Sequence, residues 1–111
     1  MQHMKHCLAD GTVVGELEWR DSPGRTIEVH IDVHPDHQRK GIGRKLIDNL
    51  IQFITERDGD KPMCLYTFMA ADNKQAVAFF TAVGFALQYV PNFYGTWRNA
   101  YFGCKTIGAP K

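Results

Sequence analysis

Apolar and polar residues alternate strictly along TIEVHIDV, residues 26–33. Ile27, Val29, Ile31 and Val33 fall on one side, Glu28, His30 and Asp32 on the other. A period of two sends successive side chains to opposite faces of a strand, so the segment predicts a strand with one buried face. Pro35 ends it, because proline cannot donate to a ladder. Residues 3–9 and 12–20 read as two strands around an Asp10-Gly11 turn, and DSPGR, 21–25, as the next turn. From Gly41 the period lengthens. Leu46, Leu50 and Ile54 recur every four residues with Ile47 and Ile51 beside them, which is the stripe of a helix ending near Gly59. PMCLYTFMA, 62–70, is a nearly continuous apolar run of the kind a central strand carries. Asp72 or Asn73 can cap a second helix over 73–83, with Ala76, Phe80 and Val83 as its stripe and Gly84 just past its end. FALQYV and AYFGCKTI are two final strands around the aromatic-rich loop PNFYGTWRN.

The predicted order is strand, strand, strand, helix, strand, helix, strand, strand. Two strand–helix–strand passages imply parallel pairing and the hairpins imply antiparallel pairing. The expected class is α/β in the α+β sense: a mixed, mostly antiparallel sheet of about six strands flanked by two helices, in one domain over residues 1–111.

Composition narrows the function classes. The 111 residues carry a net charge of +1, so no bulk field drives nucleic-acid or membrane binding. No apolar stretch approaches the ~20 residues of a membrane span, and the N-terminus lacks a signal-peptide pattern. Cys7, Cys64 and Cys104 are odd in number and far apart, which reads as three reduced thiols in a cytoplasmic chain. His34 and His37 lack a third ligand at metal spacing, so no metal is expected.

The chemistry concentrates at QRKGIGRKL, Gln38 to Leu46. The first N–H groups of a helix have no internal partner, and the helix end carries partial positive charge. A glycine turn ahead of them lets an anion approach the backbone, with Arg39, Lys40, Arg44 and Lys45 adding charge. One reading is a phosphate or pyrophosphate cradle; the other is a turn with a solvated basic helix start. The Walker spacing fails here, and the dinucleotide pattern GxGxxG fails at Leu46.

Gln38-Arg39-Lys40-Gly41-Ile42-Gly43 fills the pattern [QR]-x-x-G-x-[GA] and so resembles the acyl-CoA signature of the GCN5-related N-acetyltransferases. VHPDH before it is similar to that family's strand end. NKQAVAFFTAVGF resembles a second family block, with Asn73, Ala76, Gly84 and Phe85 in register. The tail, with Asn92, Phe93, Tyr94 and Asn99-Ala100, has a likeness to N-terminal acetyltransferases of the ribosomal-protein type.

The resemblance implies acetyl-CoA as co-substrate and a primary amine, on a small molecule or a peptide, as acceptor. Ile31, Asp32 and Val33 would pair with the pantetheine arm. Gln38, Arg39, Lys40, Gly41, Ile42, Gly43 and Arg44 would hold the pyrophosphate, with Asn73 and Phe80 also at the cofactor. It implies too that the family's first strand and two helices have no counterpart here. The acceptor side would then be open, covered by a homodimer partner, or matched to a large substrate. Two departures stand out. Phe80 occupies the place of the thiolate-protonating tyrosine, and Phe68 that of a glutamate. Glu28 and His30, on the polar side of the strand at 26–33, are candidate replacements for the base, and Tyr94 or Tyr89 for the acid. Three functions compete: acetyl transfer, a catalytically degenerate CoA-binding module, and a small nucleic-acid-binding domain. The last lacks a basic stripe interleaved with aromatics.

Overall fold

A computed structural model describes residues 2–38, 40–59, 61–93 and 98–108. Its elements are β1 (Gln2–Cys7), β2 (Val13–Ser22), β3 (Thr26–Val33), a 3₁₀ turn at Pro35–His37, α1 (Ile42–Asp58), β4 (Met63–Ala70), α2 (Lys74–Ala82), β5 (Ala86–Val90) and β6 (Ala100–Ile107). The six strands form one sheet in the order β1-β2-β3-β4-β6-β5. β3 and β4 run parallel, and the other neighbouring pairs run antiparallel.

Two expectations about the strands are corrected. The first hairpin spans Gln2–Cys7 and Val13–Ser22 rather than 3–9 and 12–20, because Leu8–Thr12 close on themselves through Leu8 N–H to Thr12 O and Gly11 N–H to Leu8 O. The second strand–helix–strand passage does not pair its strands. β6 returns antiparallel to β4 and takes the place beside it, pushing β5 to the sheet edge.

Period-two alternation sorts the sheet into two faces. Gly15, Leu17 and Trp19 of β2, Ile27 and Val29 of β3, and Leu65 and Met69 of β4 share one buried face. The α1 stripe predicted from sequence, Leu46, Ile47, Leu50 and Ile54, packs over β1 to β3 on that face, and Phe80 and Val83 of α2 join the same core. Leu50 is fully buried. Leu50→Ala should therefore cost about 2–5 kcal/mol of stability, to be read from the denaturant midpoint.

The opposite face carries neither described helix. It presents Glu16, Glu18 and Arg20 of β2, Glu28, His30 and Asp32 of β3, and half-buried Tyr66, Phe68 and Phe102. The apolar run of β4 is thus buried on one side and aromatic on the other: Phe68 lies 5.0 Å from Phe102 and stacks on Phe93 at 4.5 Å.

The expectation of three reduced thiols is also corrected. Cys64 and Cys104 sit on the same face of adjacent strands and are joined as a disulfide, while Cys7 is free and exposed. Their wide separation in sequence hid a pairing that the β4–β6 register creates.

Candidate active site

β3 and β4 pair only at Thr26–Glu28 with Cys64–Tyr66. Beyond that rung the two strands run on to Val33 and Ala70 without pairing to each other, so a gap opens between them. β2 stays paired with β3 as far as Val33. The backbone groups of Ile31 to Val33 that face β4 therefore have no ladder partner.

Beside the unpaired end of β3, a cleft of about 470 Å³ lies on the helix face. Ile31, Asp32, Val33, Gln38, Gly41, Ile42, Gly43, Arg44, Asn73 and Phe80 are among its walls. The sequence had scattered these residues over a strand, a loop and two helices. Gln38 anchors the loop by donating its side-chain amide to Val33 O at 3.1 Å. Gly41 is the N-cap of α1 at φ +80°, and α1 has no side-chain cap among the described residues. The N–H groups of Ile42, Gly43 and Arg44 precede the first intrahelical bond, from Lys45 N–H to Gly41 O. They stand uncapped at the cleft mouth, as an anion site requires.

The two glycines serve separate purposes. Gly41 supplies the left-handed turn, and a Cβ there would meet nothing within 4 Å. A Cβ on Gly43 would lie 2.6 Å from the Phe79 ring, so Gly43 permits the close approach of α1 to α2. Asn73 is half committed: its Oδ1 accepts from Ala76 N–H at 3.1 Å and caps α2. The Arg44 guanidinium reaches across to Ala82 O at 3.0 Å, tying α1 to the end of α2. Phe80 is buried against Phe79 and Phe85 and has no proton to give.

A second cleft, of about 430 Å³, lies on the open face and is walled by Glu16, Glu18, His30, Ile31, Asp32 and His34, among others. Ile31 and Asp32 border both clefts, so the two stand back to back on β3. Beside it on the same face, His30 Nε2 lies 2.5 Å from Glu28 Oε2, and Arg20 Nε donates to Glu28 Oε1 at 2.8 Å. The hydrogen bond with His30, then that with Arg20, holds the Glu28 carboxyl below the usual carboxylate range. Glu28 is thus an ionised acceptor already in use rather than an open base.

The chain matches the Acetyltransferase (GNAT) family over residues 2–85. It belongs to that family. It is 32% identical over 102 residues to the L-amino acid N-acyltransferase MnaT of Escherichia coli strain K12, an alignment covering 84% of this chain and 58% of the relative. The chain therefore spans less than two thirds of that relative's length. Among solved structures, yncA from Salmonella typhimurium, determined with its cofactor acetyl-CoA, is 28% identical with a TM-score of 0.67 over 86% of this chain and 59% of that one. The ribosomal-protein-S18-alanine N-acetyltransferase of Escherichia coli shares the fold at 24% identity, with a TM-score of 0.74 over 94% of this chain and 68% of that one.

For this GNAT chain, the described cofactor candidates gather around the first cleft with the exception of Lys40, which is exposed on the loop. Arg39 and Tyr94 lie outside the described residues. Tyr89 is not brought near the gap: it sits on the edge strand β5, beyond β6, half exposed against Tyr101. Sequence reading missed Arg20, whose spacing of eight residues from Glu28 carries no local signal until β2 and β3 pair. It also missed His3, Glu16 and Glu18 as neighbours; their ligating atoms lie within 4.8 Å of one another on the exposed face of β1 and β2, where Lys5 also approaches Glu16. No helix among the described residues is long and apolar enough to cross a membrane.

Proposed function

We propose that the chain transfers the acetyl group of acetyl-CoA to a primary amine by direct attack on the thioester. The observation that carries this reading is the pair of clefts sharing Ile31 and Asp32 as their common wall. The cofactor lies in the helix-side cleft, and the amine enters from the open face through the gap between β3 and β4.

The chain's own groups have distinct tasks in this reading. Backbone groups of Ile31, Asp32 and Val33 hold the pantetheine arm. The amides from Arg39 to Arg44, on the corner that Gln38 anchors, hold the pyrophosphate. Asn73 and Phe80 close the far wall. Acetyl-CoA supplies the activated acyl group and a thiolate as leaving group. An alkylammonium titrates at about 10 and must lose a proton before it attacks. His30 takes that proton, since an imidazole ordinarily titrates near neutral pH, and Glu28 supports it. As the C–N bond forms and the C–S bond breaks, Tyr94 gives its proton to the leaving thiolate, whose conjugate thiol titrates at about 8.5, and regains one from the amine nitrogen, which sheds its second proton as the amide forms. The acceptor is a small-molecule or peptide amine, and the chain works as one domain in the cytoplasm, with a homodimer partner able to cover its open face.

Calorimetric titration with acetyl-CoA, together with free-thiol release across amino acids, peptide N-termini, polyamines and lysine side chains, tests this. Acetyl-CoA should bind, and at least one amine should release thiol well above the hydrolysis background. Binding with no amine-dependent release would favour the second reading, a CoA-holding module, which Phe80 and Phe68 support. Absence of binding would remove both.

A further inference from the structure

We propose that Arg20 is a positioning residue: acting through Glu28, it sets the orientation and charge environment of His30 so that His30 can take a proton from the incoming amine. This rests on the reading of His30 as the base. Arg20 stands directly opposite Glu28 in the β2–β3 ladder. Its Nε lies 2.8 Å and its Nη2 2.6 Å from Glu28 Oε1. That leaves Oε2 for His30 Nε2, at 2.5 Å. The Glu28 side chain is 17% exposed, against 60% for Arg20 and 47% for His30. A largely covered carboxylate with both oxygens engaged differs from an ordinary surface ion pair, in which long exposed chains sample many geometries.

The tautomer follows from the charge on Glu28. Its carboxyl is held below the usual range, so at neutral pH it is ionised and can only accept. His30 Nε2 must then carry the hydrogen and donate. In the neutral ring the lone pair lies on Nδ1, which becomes the atom that takes the proton. Register places this chemistry at the gap. Glu28 is the last β3 residue paired to β4, and His30 is the next residue on the same face, beyond the final rung.

The charges around His30 explain why a cation is needed. Glu18 lies directly opposite it on β2, with His3 of β1 beyond Glu18. Glu16 and Asp32 face each other one position along, His34 shares the cleft, and on β4 Tyr66 stands opposite Glu28. Together these carboxylates give this part of the face a local negative charge, partly offset by Lys5 of β1 beside Glu16. Arg20 offsets that charge from the one side that also fixes the ring.

The test is the pH profile of kcat/KM for Arg20→Met, Arg20→Lys and Glu28→Gln, beside the substrate-free titration of the His30 Cε1–H signal by NMR. Arg20→Met should move the acid limb to higher pH by roughly half to one unit, as loss of a neighbouring charge does. Glu28→Gln should move it to lower pH and reduce the plateau. Arg20→Lys keeps the charge and should return the limb close to the parent position. The NMR midpoint should move in the same direction in each variant, and thermal unfolding checks that all three fold. An identical midpoint in Arg20→Met and the parent overturns the proposal, as does a midpoint that moves while the rate profile stays. Absence of thiol release with every amine instead removes the acetyl-transfer reading, and the NMR midpoint still decides whether Arg20 controls the ring.

Discussion

Gly41→Val should weaken acetyl-CoA binding by about 100-fold or more, equivalent to about 2.7 kcal/mol. The backbone at Gly41 sits at φ +80°. A β-branched residue held there costs on the order of 1–3 kcal/mol, so the corner escapes by turning. That rotation swings the N–H groups of Ile42, Gly43 and Arg44 away from their common focus. Anion binding at a helix start depends on several donors converging, so a small rotation loses more than one contact. The fold should survive, because Gly41 is exposed and an added Cβ would meet nothing within 4 Å. Calorimetry with acetyl-CoA and a thermal melt on the same sample separate the two effects. Parent-like affinity in a folded Gly41→Val would show that the cofactor's diphosphate sits elsewhere.

His30→Ala should lower kcat/KM for the amine by about 10²- to 10⁴-fold, the usual loss when a positioned proton acceptor is removed. The KM for acetyl-CoA should change little, because His30 borders the open-face cleft and not the one walled by Gly41 to Arg44. Stability should stay within about 0.5 kcal/mol, as for other exposed positions. Losing His30 frees Glu28 Oε2 but leaves Arg20 on Oε1, so the carboxylate keeps a partner. Initial rates over a range of pH measure this directly. A loss below fivefold throughout would mean that the amine arrives already neutral or that another group receives its proton.

The two predictions draw on parts of the molecule that were unequally readable. The glycine corner proposed for the pyrophosphate was visible in the chain because its causes are local. Gln38, Gly41 and Gly43 are neighbours, and the conformation of a turn depends on the residues in it. The relay from Arg20 through Glu28 to His30 was only half visible. Glu28 and His30 are two apart on one strand, so their shared face could be inferred. Arg20 joins them because Arg20 and Glu28 fall in register across the β2–β3 hairpin.

The amino-acid order alone determined the elements: period-two runs made strands, the every-fourth-residue stripe made α1, and Asn73 and Gly59 marked helix ends. Those are short-range effects, governed by sterics and hydrogen bonds between near neighbours in the chain. Tertiary structure decided what meets across distance. It set β6 beside β4 in place of β5, closed Cys64 onto Cys104 over a separation of 40 residues, and ended β3–β4 pairing after Glu28. Strand order and register come from how whole apolar faces pack together, and no local stretch of the chain carries that information.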